Sequence, residues 1–383
     1  CRTTFWVLKT TVIGSEKSKR LSIHQALHNL KTPSLHDRCR KTEDESMSPY
    51  DYRRLNKHVI ILTNFKQNAK NFIHFVICLV LRALYSVGMT TQDTAHITRF
   101  APSPNGRLHL GHAYSALMAH KLAGSGRFIL RIEDIDLGRR RQHFIDAIYE
   151  DLAWLGLSWP TPVMIQSSRF DIYKTALDRL REMEVVYPCW ASRADIRDYI
   201  NTQPGGREAW PVDPDGAAIY PGLYKDISSS KRDAMMWEGG NYAWRLDSEK
   251  AAALARQKNG VLSYFEASQK ENVEINPGLY GDVILARKDI PTSYHLSVVV
   301  DDAAQDISLV TRGMDLQGAT HIHRILQILL DYPEPEYYHH ELVREADGRR
   351  LSKRAGDIGI DYYRDQSYEP EKLIREYLPP LTG

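Results

Sequence analysis

The stretch that most limits how this chain can fold is RFAPSPNGRLHLGH, from Arg99 to His112. It joins a short strand candidate, HITRF (His96 to Phe100), to HAYSALMAHKLAG. The first run reads as a strand, and the prolines and Gly106 then break the chain. Ala113, Ala116, Leu117 and Ala119 give the next stretch a compact helical face, with Gly124 as its stop. The pattern then repeats. RFILRIED (Arg127 to Asp134) reads as a strand, and RRRQHFIDAIYEDLAWLGLSW reads as a long amphipathic helix. In it Phe144, Ile145, Ile148, Leu152 and Leu155 recur at three- and four-residue steps. Strand–helix alternation predicts an α/β fold built on a Rossmann-type doubly wound parallel sheet.

In such a sheet, ligands bind at the carboxyl ends of strands, where helices begin. Gly106 and Gly111 would let backbone approach a ligand. The helix after Gly111 would aim its amides and partial positive charge at the loop, an anion site. His109 and His112 add donors there, suited to stabilising charge on a phosphate in an in-line displacement. A buried, hydrogen-bonded histidine pair in a tight turn is the competing reading. Far downstream, DGRRLSKRAG (Asp347 to Gly356) carries Lys353 and Arg354 on a loop able to reach a triphosphate. Alone, such a loop reads as solvated surface.

Together and in this order, HLGH and RLSKR resemble the two signatures of class I aminoacyl-tRNA synthetases. With RIEDID (Arg131 to Asp136), YHLSVVVDD (Tyr294 to Asp302) and VTRGMDL (Val310 to Leu316), the chain from Ile97 to Gly356 resembles the glutamyl-tRNA synthetase catalytic core. The resemblance implies a glutamate pocket formed by Arg99, Phe100, Ala101, Pro102 and Ser103. Glu133 would hold the ammonium group, Tyr294 would close the pocket, and Arg312 would join Arg99 on the side-chain carboxylate. A guanidinium is the group that grips a carboxylate bidentately. The resemblance also implies ATP, with Mg²⁺, bound by Pro102, Ser103, Gly106, His109, Gly111, His112, Lys353 and Arg354. His109, His112 and Lys353 would be catalytic, Lys353 on the leaving pyrophosphate.

Only 29 residues follow Arg354, fewer than the helical anticodon-reading domain of the ordinary glutamyl enzyme needs. A stand-alone core of this kind resembles the glutamyl-Q tRNA(Asp) synthetases. That resemblance implies glutamate activation without tRNA, then transfer to the queuosine base in the anticodon of aspartate tRNA. A splayed base in an RNA loop is a normal target for stacking and edge recognition. The alternatives are a truncated glutamyl-tRNA synthetase charging the 3′ end of glutamate tRNA, an inactive RNA-binding paralogue, and a small nucleotidylyltransferase. The last shares an H-x-G-H loop but leaves Arg99, Glu133, Tyr294 and Arg312 unexplained.

Two departures stand out. The family often carries a zinc site, Cys-x-Cys then Tyr-x-x-x-Cys. Here YPCWASRAD and IYPGLYKD keep Cys189 and Tyr220 but place Ala191 and Tyr224 at the other two positions. One thiolate and one phenol do not make a four-coordinate site, so no structural zinc, and no other protein-held metal, is expected. The first lysine of the second signature is Arg350.

Charge divides the chain. Residues 1–88 hold 15 Lys and Arg against 6 Asp and Glu, whereas the whole chain is only +2. Any phosphate-binding patch downstream must therefore be local. Residues 1–88 read as a non-native extension upstream of Met89, a disordered basic arm, or a membrane anchor. The run from Asn71 to Met89 is interrupted by Arg82 and falls short of the ~20 clean apolar residues that a span needs, so no membrane is expected. The four cysteines lack paired spacing, which fits a reducing, cytoplasmic setting. The expected organisation is a first Rossmann half at 89–188, an inserted α/β subdomain at 189–280, a second half at 281–330, and the signature loop with a helical end at 331–383. The enzyme is expected to act as a monomer.

Overall fold

A computed structural model of the protein describes residues 95–344 and 358–381. β1 (Ile97–Phe100) runs through the Pro/Gly loop into α1 (Leu110–Ala123). β2 (Arg127–Ile132) leads to α2 (Gln142–Trp154), and β3 (Met164–Ile165) passes through a 3₁₀ turn into α3 (Phe170–Glu182). Gly126 is required just before β2, because a Cβ there would stand 2.0 Å from the His96 carbonyl oxygen. β1 pairs with β2, and β2 with β3, all in parallel.

The chain then leaves this sheet through β4 (Val186–Cys189), α4 (Arg193–Asn201), α5 (Gly206–Ala209) and α6 (Ser229–Trp237). β5 (Ala243–Leu246), α7 (Ser248–Asn259), β6 (Ser263–Glu266), β7 (Glu271–Glu274) and β8 (Ile284–Ala286) follow. The chain returns through α8 (Tyr294–Ala304), β9 (Leu309–Gly313), α9 (Ala319–Leu330) and β10 (Glu336–His340), and ends in α10 (Ile360–Asp365) and α11 (Pro370–Tyr377).

β4, β5 and β8 form a separate antiparallel sheet. β9 lies against β1: the Ser308 amide donates to the Ile97 carbonyl at 3.0 Å, and the Ile97 amide to Ser308 Oγ at 2.9 Å. β10 pairs in parallel with β9 on one side and with β6 on the other, and β6 turns back into β7. The parallel sheet β3-β2-β1 thus meets the sheet β9-β10-β6-β7 edge to edge, in the order β3-β2-β1 then β9-β10-β6-β7, a Rossmann-type arrangement that reverses between β1 and β9. Such a reversal opens a crevice at the strands' carboxyl ends. Residues 189–280, read from sequence as one insert, thus supply strands to two sheets.

Two apolar clusters flank the sheet. Met118, Leu130, Ile148 and Leu152 anchor one, which reaches Ile360 and Leu373 of the last two helices. Tyr173, Leu180, Leu296, Ile325 and Tyr337 anchor the other. Each fully buried aliphatic side chain contributes about 1.5–3 kcal/mol. The small-residue face of α1 is buried as expected, and Ile145, Ile148, Leu152 and Leu155 of the second periodic set are buried too. Phe144 of that set faces a cavity instead. All twelve residues of α9 are buried, including Thr320, His321, His323 and Arg324. Such polar groups persist inside only with partners. Among the described residues, no helix is long and apolar enough to cross a membrane. The run from Asn71 to Met89 lies outside them.

Candidate active site

A cavity of about 1020 Å³ occupies the crevice between β1 and β9, at the start of α1. Its walls bring together Arg99, Phe100 and Ala101 from β1 and the loop, His109, Gly111 and His112 from α1, and Glu133, Tyr294 and Arg312. Ser103 lines a smaller neighbouring cavity of about 240 Å³, which shares Glu133 and Tyr294 with the first. Pro102 lines neither; its carbonyl accepts the Glu133 amide at 3.0 Å and so fixes where Glu133 stands. Gly106 sits in the bend of the loop, away from both cavities. Lys353 and Arg354, with the rest of the RLSKR loop, lie outside the described residues. The chain leaves the cavity wall at Val343 and is back beside it at Gly359, which forms a β-bridge with His109.

The HLGH motif caps its own helix. His109 is the N-cap of α1, and the helix already includes Gly111 and His112. The Gly111 amide donates to His109 Nδ1 at 3.1 Å, and the His109 amide donates to His112 Nδ1 at 3.2 Å. Two imidazoles thus form a reciprocal capping box, ring centres 3.8 Å apart. The Gly111 amide is taken up by His109 rather than presented to an anion, as the sequence suggested. With both Nδ1 atoms accepting, the neutral rings carry their protons on Nε2. Gly111 has a steric role: a Cβ there would lie 3.0 Å from the His109 ring.

Three arginines build the opposite wall. Arg99 donates Nε and Nη2 to the two oxygens of Asp302, at 2.9 and 3.2 Å, and Nη1 to the Thr311 carbonyl at 3.0 Å. One N–H remains on each terminal nitrogen for a ligand. Arg131, fully buried, donates to the same Asp302 at 2.8 Å, to Glu133 at 3.3 Å and to Gln305 at 2.9 Å. Burial alone would raise the Asp302 carboxyl, but Arg99 and Arg131 outweigh it and hold it below the usual range. Burial also pushes Glu133 up, opposed by Arg131 and Arg99.

Arg312 is equally buried, at 5% exposure, yet among the described residues no carboxylate lies within ion-pair distance of it. Its partners are all uncharged. Nε donates to His339 Nε2 at 3.1 Å, Nη2 to Thr320 Oγ1 at 2.5 Å, and Nη1 to Tyr294 Oη and His323 Nδ1, both at 3.1 Å. His323 in turn meets His295 at 3.2 Å. Desolvation, reinforced by the Arg312 charge, drops His295 to about 4 and His323 well below its ordinary value. His339 also falls to about 4, with burial outweighing its Glu266 neighbour. These rings are neutral. Four of the five Arg312 N–H groups are committed, leaving one on Nη2 rather than the bidentate fork expected from sequence. Tyr294 accepts from Arg312, so its own hydroxyl proton remains to donate, and burial raises its pKa and keeps that proton in place.

Sequence reasoning passed over Arg131, Asp302, Glu266, Thr320, His323 and His339. Asp302 and Arg131 lie inside quoted motifs, whereas Glu266 carried no signal. The positions compared with a zinc site do meet: the Cys189 thiol donates to Tyr220 Oη at 3.3 Å, which accepts the Tyr224 amide at 3.1 Å. A thiol, one phenol and a backbone amide joined in this way do not fit a tetrahedral zinc.

The family model for the catalytic domain of class I tRNA synthetases (E and Q) matches residues 96–378. A glutamyl-Q tRNA(Asp) synthetase of Rhodobacter capsulatus is 43% identical over 285 residues, 73% of this chain and 98% of the relative. One from Symbiobacterium thermophilum is 36% identical over 74% of this chain and 86% of its own. Among solved structures, a glutamate tRNA ligase from Elizabethkingia meningosepticum, in complex with its amino acid, superposes with a TM-score of 0.59 at 24% identity. That match covers 73% of this chain and spans 60% of the ligase.

Proposed function

This chain belongs to the class I tRNA synthetases for Glu and Gln, and within them to the glutamyl-Q tRNA(Asp) synthetase family; from that membership we propose that it activates glutamate with ATP, without tRNA, and transfers it to the queuosine base in the anticodon of aspartate tRNA. The observation that carries the glutamate half is Arg312, a buried guanidinium on the cavity wall with only neutral partners. A buried charge without a counter-charge is costly, and a ligand carboxylate relieves that cost while a carboxamide does not.

In this reading, one glutamate carboxylate takes the remaining Arg312 N–H and the Tyr294 hydroxyl, Arg99 offers its two N–H groups nearby, and Glu133 faces the ammonium. An oxygen of the α-carboxylate attacks the α-phosphorus of ATP, and the bond to pyrophosphate breaks. His109 and His112 donate to the triphosphate, with Lys353 and Arg354 on the pyrophosphate side. Mg²⁺ would come with the triphosphate, which supplies several of its oxygen ligands. A ring hydroxyl of queuosine then attacks the adenylate carbonyl, and AMP leaves. Positioning supplies most of this second step, since the acyl group is already activated.

The transfer half draws support from the two glutamyl-Q relatives, matched over most of their length. The test uses labelled glutamate, ATP and aspartate tRNA from cells with and without queuosine. Label is expected only on the queuosine-containing tRNA, with pyrophosphate exchange in the absence of RNA. Equal labelling of both tRNAs, or labelling of glutamate tRNA at its 3′ end, would overturn the assignment.

A further inference from the structure

Glu266, His339 and Arg312 stand on three adjacent strands of the main sheet, β6, β10 and β9. His339 is the direct register partner of Arg312, and Glu266 pairs with Tyr337, two residues before His339 on the same face. The three side chains form one line of hydrogen bonds across the sheet. Glu266 Oε2 meets His339 Nδ1 at 2.5 Å, and Arg312 Nε donates to His339 Nε2 at 3.1 Å. Glu266 Oε1 accepts the His339 amide at 3.0 Å and the Ser268 hydroxyl at 2.5 Å. Both carboxylate oxygens therefore face donors, and Glu266 and His339 are themselves buried.

We propose that Glu266 and His339 are positioning residues that set the choice of a carboxylate over a carboxamide at Arg312. The inference rests on the reading of Arg312 as the carboxylate contact. Its logic is one of donors and acceptors. Glu266 offers only acceptors, so His339 must carry its proton on Nδ1. Nε2 is then a lone pair, the one form that can receive the Arg312 Nε–H. The imidazole also acts as a spacer. It keeps Glu266 one ring away from Arg312, so that the sheet's own carboxylate does not become the counter-ion that the substrate should provide. A direct Glu266–Arg312 pair would neutralise the guanidinium; the interposed neutral ring orients it and leaves its charge for the ligand.

The test measures equilibrium binding of glutamate and of glutamine to the full chain by calorimetry, alongside melting temperature. Glu266→Gln is isosteric but places an amide donor in the line. Either that donor faces His339 Nδ1 and forces the ring proton onto Nε2, against Arg312, or it faces the donors at Oε1. Glutamate affinity is expected to fall about tenfold or more, the scale of one frustrated buried hydrogen bond. Glutamine affinity should change little, so that the preference collapses. His339→Leu should do the same. His339→Gln, which can donate to Glu266 and accept from Arg312, should restore most of the preference. Should one variant fail to fold, the other two still decide the matter. A preference unchanged in folded Glu266→Gln or His339→Leu would overturn the proposal and leave the glutamate reading standing. If the unaltered chain binds no glutamate, both fall together.

Discussion

Arg99 and Arg312 share one cavity and nearly equal burial, yet their partners differ in kind. Arg99 is neutralised by Asp302, whereas Arg312 meets His339, His323, Tyr294 and Thr320. Arg312 is thus the residue whose charge is available to a ligand. Arg312→Lys is expected to weaken glutamate binding about a hundredfold, because one ammonium cannot address four spread acceptors and a carboxylate together. A titration that shows wild-type affinity in the folded variant would count against the site. His112 tests the other wall. His112→Ala should cost turnover in pyrophosphate exchange by about 10²-fold, the scale of a lost transition-state donor, with glutamate affinity kept. Arg99, Glu133, Tyr294 and Arg312 could be grouped from sequence because the motifs that hold them resemble those of a known catalytic core, and all four line one cavity. His323 and His339 were not, because a histidine's meaning depends on which strand or helix lies beside it. The number of N–H groups left on each arginine was likewise beyond the sequence.

At the scale of elements, the site depends on how α8 meets the sheet. Asp302, near the end of α8, receives Arg99 from β1 and Arg131 from β2, so a single carboxylate holds two buried cations. Asp302→Ala should lower stability by about 3–5 kcal/mol, since it strands charge inside the fold. Denaturant melts should report the loss; a variant as stable as the parent would show that Glu133 and Gln305 suffice for Arg131. The strand–loop–helix units followed from local patterning. The start of α1 did not, because the capping box is made by the imidazoles themselves rather than by the usual Ser or Asp. β6 escaped for a different reason. It joins β10 through Glu266 and Tyr337, some seventy positions apart, and no local period shows that.

Across the whole molecule, the buried imidazoles make acid the natural stress. His339 and His295 lie near 4, and His323 well below its ordinary value. Their folded pKa values are below that of an unfolded histidine, about 6.5. Between those values the unfolded chain binds protons that the native chain refuses, so stability falls as pH drops from about 6.5 towards 4. Each such ring accounts for a loss on the order of 1–2 kcal/mol by pH 5. The melting temperature should therefore be clearly lower at pH 5 than at pH 7.5; equal values would mean that the rings titrate freely. The β6–β7 hairpin carries a different consequence. A chimera that exchanged residues 189–280 for the corresponding span of a relative would look like a swap of a peripheral module. It would also replace Glu266, and with it one end of the line that orients Arg312. The safe grafting boundary stops short of Ser263, and recombination across it would rewrite amino-acid choice from outside the pocket.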